Sequence, residues 1–254
     1  MYELLHEILK DQKTDVVFKC FGIYHIIYMI LTFIAIAFMV FILKNKAKDT
    51  KQKVITTLIN IAFGLYILDF FLMPIAYKEI DIEKLPFHIC TLSCVMCFLT
   101  RHTKRFSKFA HQFAVLGLIG NLIYVIYPAG VGWYMIHPLS YRVIQTLLFH
   151  AVMTSYGVVT LCFDEVSLEY KKSYKELIII VIMTLWAILG NFIYNGKIEG
   201  YNHFFNWFFV IQDPFYILPS EISKFIMPIV MIIVIYFAVM IVYLVFNVIK
   251  KIKK

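Results

Sequence analysis

Apolar runs of roughly twenty residues, separated by short lysine-rich stretches, constrain this chain more than any other feature of it. A helix needs about 17–25 such residues to cross a ~30 Å hydrocarbon core. Seven runs suit that role, at 21–43, 54–77, 85–100, 109–127, 143–163, 177–194 and 225–249, the third being the shortest. Of the 254 residues, 61% are apolar and 16% charged, against roughly 45–50% and 25% in soluble domains. The expected fold is therefore all-α: a polytopic membrane helical bundle of about seven transmembrane helices, forming one membrane domain over 1–254. The stretches between the runs are too short to build a second, soluble domain.

The net charge is +8, and its carriers sit between the runs. That distribution fits anionic lipid headgroups as the partner and not nucleic acid. Loops 44–53, 101–108 and 164–176 and the tail after 249 hold sixteen Lys and Arg. The N-terminal segment and loops 78–84, 128–142 and 195–224 hold eight. The richer side belongs in the cytoplasm, so the N-terminus is expected outside and the C-terminus inside. Residues 1–20 then form an extracytoplasmic amphipathic segment, with Leu5, Ile8 and Leu9 set among Glu3, Glu7 and Lys10. Residues 21–249 form the bundle and 250–254 a basic cytoplasmic tail. The first run is too long for a signal-peptide core, so no cleavage is expected. Arginine occurs only at 101, 105 and 142; this lysine bias points to an AT-rich bacterial genome and hence to a multi-pass protein of a bacterial cytoplasmic membrane. Segment 201–219 is apolar but broken by Asp213, Pro214 and Pro219. It reads either as a re-entrant segment or as an interfacial aromatic belt, on the outer side.

With that topology the polar residues of the runs fall at similar depth. Asp69, His88, Cys90, Asn121, His150, Asn191 and His25 all lie about 3–11 Å to the outer side of the midplane. They suggest one polar chamber open to the outer leaflet, with Gln145 as a further supporting residue. Each also has a plainer reading. A lone histidine in a span is commonly an interhelical hydrogen-bonder, and Asn121 and Asn191 fit interhelical bonding. Asp69 is costly in lipid unless paired, and a partnership with His150 or Asn121 is its expected role.

The five cysteines are Cys20, Cys90, Cys94, Cys97 and Cys162, four of them inside apolar runs, which argues against a disulfide framework. Cys90, Cys94 and Cys97 fall at i, i+4 and i+7, one helical stripe. Structural zinc sites take a second pair elsewhere, and the sequence has none. No metal and no cofactor are expected, and Cys94 and Cys97 read as core residues. Cys90 differs, because it follows Pro86-Phe87-His88 near the outer end of its run. A thiol becomes a strong nucleophile once a base or charge stabilises its thiolate. His88 lies about 200° round the same helix, so His150 is the better base. Cysteine, histidine and an orienting Asp or Asn would perform acyl transfer through a thioester.

The same residues carry a family resemblance. LPFHIC at 85–90 resembles the L-P-x-H-x-C box of the YwaF-like integral membrane proteins, a group that includes the animal membrane acyltransferase remodelling ether phospholipids. VIQTLLFHAVMTSYGVV at 143–159 is similar to the group's F-x-x-H helix, and HIIYMILTF at 25–33 to its opening histidine segment. ILGNFIYNGKIEGYNHFF at 188–205, followed by QDP at 212–214, looks like a degraded N-Y-x-x-x-x-x-K-P segment, with Asp213 where the lysine is expected. The resemblance implies Cys90 as the acyl-carrying thiol, His88 beside it and His150 opposite. It implies a fatty acyl chain taken from a membrane phospholipid and passed to a lysophospholipid or a lipoprotein amine. A transporter or permeation protein with a solute site in the outer half of the bundle is the alternative, and a non-catalytic accessory subunit a third reading. Transporters usually show internal repeats, and residues 1–127 do not repeat in 128–254.

Overall fold

The structure is a computed structural model and describes residues 2–12, 14–78, 82–164, 168–197, 204–214 and 216–252. Their regular structure is helical: α1 (Tyr2–Leu9), α2 (Ile23–Leu43), α3 (Lys48–Tyr77), α4 (Ile89–His102), α5 (Ala110–Ile126), α6 (Ala129–Gly132), α7 (Tyr141–Phe163), α8 (Tyr174–Tyr194) and α9 (Ser220–Ile252), with short 3-10 turns between them. Among the described residues, six segments are long and apolar enough to cross a membrane: Ile23–Leu43, Lys48–Tyr77, Ser107–Gly132, Tyr141–Phe163, Tyr170–Tyr194 and Ser220–Lys251. The protein is an all-helical, polytopic membrane protein. The expected third span is the exception to the count of seven. It becomes α4, of 14 residues, about 21 Å long at 1.5 Å per residue, short of a ~30 Å core. Pro86 disfavours helical backbone at Leu85, and the Pro86 carbonyl accepts a hydrogen bond from Trp186 Nε1 at 2.9 Å, so the helix begins only after His88. Residues 198–203, from the stretch likened to the K-P segment, and 253–254 of the basic tail lie outside the described residues.

The chain divides into two compact units, Met1–Ile82 with Ser93–Val166, and Glu83–Leu92 with Ser167–Lys254. In the first, α5 packs on α7 and α7 on α3. Gly157 makes the α5–α7 approach close: a Cβ there would lie 2.7 Å from Leu118 Cβ and 3.1 Å from Leu118 Cα. Small residues that let backbones approach are a usual device for joining helices in lipid. Cys94 and Cys97 are fully buried, with Cys97 Sγ and Ser93 Oγ beside Gly117.

Both ends of this unit are tied by side chains. At one end Arg101 of α4 donates to Thr56 Oγ1 at 2.9 Å, to the Gln52 carbonyl at 3.1 Å and to Gln52 Oε1. Its other guanidinium nitrogen lies 3.5 Å from Asp164, to which Gln52 also donates at 3.0 Å. Helices α3, α4 and α7 thus share one ion-paired knot. At the other end the N-terminal segment is pinned down. His6 Nδ1 donates to the Ile75 carbonyl, the Phe18 amide to Ile136, and the His137 amide to Gln12. Asp11 accepts from Tyr77 Oη at 2.7 Å and from Arg142 Nε at 3.2 Å. The Arg142 guanidinium lies between the rings of Tyr77 and Tyr134, 4.1 and 4.0 Å from their centroids, a favourable cation–π arrangement. The helical part of the expected amphipathic segment is therefore α1, and the described residues between it and α2 form no further helix. In the second unit α8 packs on α9.

Candidate functional site

The LPFHIC box is built into the second unit by ring packing and by hydrogen bonds between side chains and backbone. Phe87 is buried and stacks on Trp186, with ring centroids 5.1 Å apart and 25° between planes, while Trp207 approaches to 4.7 Å. Gly190 of α8 makes room for it, since a Cβ there would come within 2.5–2.7 Å of three Phe87 ring atoms. Asn191, one residue on, is fully buried; its amide nitrogen donates to the Trp207 carbonyl at 3.1 Å and its oxygen accepts from the Trp207 amide at 3.0 Å. Asn195, one turn later, does the same for Phe205 at 2.9 and 2.7 Å. Two asparagines at i and i+4 thereby satisfy the backbone of a segment whose described regular structure is one 3-10 turn, Trp207–Phe209.

That segment is strained where it meets the box. Phe208 and Phe209 have φ of 61° and 53°, a left-handed conformation costly for side-chain-bearing residues. The Phe208 amide donates to His88 Nδ1 at 3.2 Å. His88 thus accepts at Nδ1, and its neutral ring carries hydrogen at Nε2. Cys90, two residues on, is partly buried and is the second residue of α4. Asp213 is 5% exposed. Its Oδ2 accepts from the amides of Ile217 and Leu218 at 2.8 and 3.1 Å, and its own amide donates to Ser223 Oγ at 2.7 Å. At the position where the resemblance leads one to expect a lysine, the carboxylate closes the turn that leads into α9. In segment 201–219, Phe205, Trp207, Phe208 and Val210 are buried while Tyr216 and Ile217 are exposed.

The first unit holds the other polar residues at more than one level: on α7, Tyr141 beside Asp69 and His150 beside Asn121 are nine residues apart, about 13.5 Å along the helix. His150 Nδ1 and Asn121 Oδ1 are 2.8 Å apart, and Asn121 Nδ2 donates to the Gly117 carbonyl at 2.7 Å. Because that second bond fixes the amide's orientation, Asn121 Oδ1 must accept, so His150 carries its hydrogen at Nδ1 and its lone pair at Nε2. Tyr124 stacks on the imidazole at 3.9 Å. Asp69, 1% exposed, accepts from Tyr141 Oη at 2.7 Å. Gln145 lies 3.5 Å from the Leu65 carbonyl. Both nitrogens of His25 meet backbone: Nδ1 accepts from the Phe21 amide at 2.9 Å and Nε2 donates to the Val125 carbonyl at 3.0 Å. His25 therefore ties the start of α2 to the end of α5. Among the described residues, no three His, Cys, Asp or Glu side chains converge as a metal-holding group.

A family model, that of the TMEM164 family, matches residues 20–248. The chain belongs to the TMEM164 family. No curated protein and no solved structure matches it. In this TMEM164-family protein the residues that sequence reasoning missed are those that partner the polar ones. Tyr141 bonds Asp69, Tyr28 donates to the Leu147 carbonyl at 2.5 Å, and Gly190 and Trp207 hold the box. A signal existed for two of them. Asp69 demanded a donor, and Tyr141 opens a neighbouring span at similar depth. A lone glycine inside an apolar helix often marks a close approach.

Proposed function

We propose that this protein is a membrane acyltransferase of the cysteine–histidine type, with Cys90 as the acyl carrier and His150 as the base. The observation that carries the reading is the His150–Asn121 bond, which sets the tautomer of a histidine buried among membrane-spanning helices, with hydrogen at Nδ1 and the acceptor position at Nε2. An asparagine orienting a histidine is a known way to set the tautomer of a cysteine's base. His88, whose Nδ1 already accepts the Phe208 amide, is less suited to take a proton. The likeness of LPFHIC to the L-P-x-H-x-C box of YwaF-like proteins supports Cys90, and membership of a membrane family supports a lipid substrate.

In the proposed reaction the Cys90 thiol gives its proton to His150, and the thiolate attacks the ester carbonyl of a phospholipid. The acyl carbon–oxygen bond breaks, His150 returns the proton to the departing lysophospholipid alkoxide, and a thioester remains. A lysophospholipid hydroxyl or a lipoprotein amine then attacks the thioester, its proton passes to His150, and the thiol is regenerated. Incubation of the purified protein with an acyl-labelled phospholipid is expected to label wild type covalently and release the label with hydroxylamine. Cys90→Ser is expected to take up none, whereas Cys94→Ala and Cys97→Ala keep most of the label. Label that persists in Cys90→Ser overturns the assignment. The buried Asp69 carboxylate is what favours the transport alternative; solute uptake by reconstituted Cys90→Ser vesicles at the wild-type rate, with no acyl label in wild type, would be its signature.

The basic asymmetry supports an N-terminus outside and a C-terminus inside a bacterial cytoplasmic membrane, provided that the short α4 serves as a seventh crossing, its last turn at Arg101 meeting the start of α3 and the residue after α7. A reporter that works only in the cytoplasm is expected to be active after Lys254, and one that works only outside to be silent there. The reverse result inverts the topology and moves the proposed chemistry to the other leaflet.

A further inference from the structure

Glu176 lies in the first turn of α8, inside the membrane-spanning segment Tyr170–Tyr194. In sequence it completes Ser173-x-x-Glu176, the pattern in which a serine caps a helix and the glutamate three residues on reaches back to the serine's amide. The structure does not form that box: α8 has no side-chain cap hydrogen bond. The Ser173 amide and hydroxyl both turn to the Tyr170 carbonyl, at 3.2 and 2.8 Å, and the hydroxyl also meets Tyr236 Oη of α9 at 2.7 Å. Glu176 points the same way. It is 0% exposed; neither carboxyl oxygen meets full hydrogen-bond geometry, and the groups that come nearest to bonding it are the Tyr243 hydroxyl and its own amide, both uncharged. Tyr243 of α9, itself buried, is the polar side chain that faces it.

An ionised carboxylate in this place lacks a counter-ion. Between Lys224 and Lys250, α9 has no charged residue and no histidine, and α8 has none after Glu176. Lys175 is the neighbour along the chain and is exposed. Tyr236 and Tyr243 are the titratable groups that α9 turns to this face. The helix dipole favours negative charge in a first turn, but that gain is small beside the desolvation of an unpaired charge. A metal cation would need more oxygens than the two of Glu176 and one of Tyr243, and the hydroxyls of Ser173 and Tyr236 already satisfy each other. A proton needs one oxygen.

We propose that Glu176 is a proton-binding site within the membrane, its carboxyl carrying a bound proton at neutral pH and thereby permitting the close contact of α8 with α9. The site shares no residue with the proposed acyl transfer and stands whether or not that reading does.

Two measurements on the full-length protein in lipid test it. The infrared spectrum of wild type at neutral pH is expected to contain a protonated-carboxyl stretch that is missing from Glu176→Gln. A difference confined to the ionised-carboxylate bands overturns the proposal. An apolar carbodiimide, which reacts with protonated carboxyls in apolar surroundings, is expected to modify the peptide containing Glu176 at neutral pH, and less so as the pH is raised. Modification suppressed by sodium or potassium chloride, but not by an impermeant organic salt, would mean a metal-cation site and overturn the proton. Glu176→Gln is expected to fold and to unfold within a few degrees of wild type, since the amide keeps the shape without needing the proton. A Glu176→Gln protein that no longer assembles, with wild type showing only ionised carboxylate, also overturns it.

Discussion

His150→Ala is expected to reduce acyl transfer by about a hundredfold or more, the usual contribution of a positioned general base. A thiol surrounded by apolar groups resists ionisation, because desolvation penalises the thiolate. Proton removal must therefore be coupled to attack, and a histidine with its lone pair at Nε2 supplies the coupling. Residues acting as one catalytic unit are strongly non-additive. The double variant Cys90→Ala with His150→Ala should accordingly be no slower than Cys90→Ala alone. Asn121→Ala is a positioning change and should cost less than His150→Ala while altering the pH profile, because the ring would be free to take the other tautomer. A correctly folded His150→Ala protein with near-normal transfer would remove the base role from His150 and pass it to His88. The checks are single-turnover label transfer and a pH–rate profile for each variant.

The spans were legible because lipid punishes exposed backbone and polar side chains alike, so composition alone marks where helices must run. The third span misled by its boundary. Residues 85–88 are apolar enough to read as helix, yet Pro86 and the capture of its carbonyl by Trp186, a hundred residues away, hold them outside α4. Pairing among the polar residues was less legible. Depth follows from counting residues along a run, whereas partnership depends on how each helix is rotated about its axis. Asp69 and Tyr141 come together because α3 and α7 pack face to face, and nothing in either run states that rotation. Asn121 and His150 were both named from sequence, but their orientation came from the Gly117 carbonyl that fixes the amide. Asp213 and the strained Phe208–Phe209 pair show a further limit. Their roles exist only once an irregular segment has been folded back on α8 and tied by Asn191 and Asn195.

Gly190→Ala is expected to destabilise the second unit, against the ordinary rule for helices. In a helix interior alanine normally gains about 1 kcal/mol over glycine. Here the added methyl would stand 2.5, 2.6 and 2.7 Å from three atoms of the Phe87 ring, inside any permitted contact. The ring has nowhere to go, with Trp186 stacked on it and Trp207 packed close by. Overpacking of a filled core typically costs about 1–3 kcal/mol, so the clash should outweigh the propensity gain. The consequence reaches the proposed chemistry, because Phe87 is followed directly by His88, which holds the strained Phe208 amide, and by the first residues of α4. Thermal unfolding followed by tryptophan fluorescence should show a lowered midpoint, and label transfer to Cys90 should fall further than the unfolded fraction explains. Adding Phe87→Leu to Gly190→Ala should restore much of the midpoint, since a smaller side chain vacates the space the methyl needs. A Gly190→Ala protein as stable as wild type would mean that Phe87 is not seated on α8, and the architecture of the box would have to be redrawn.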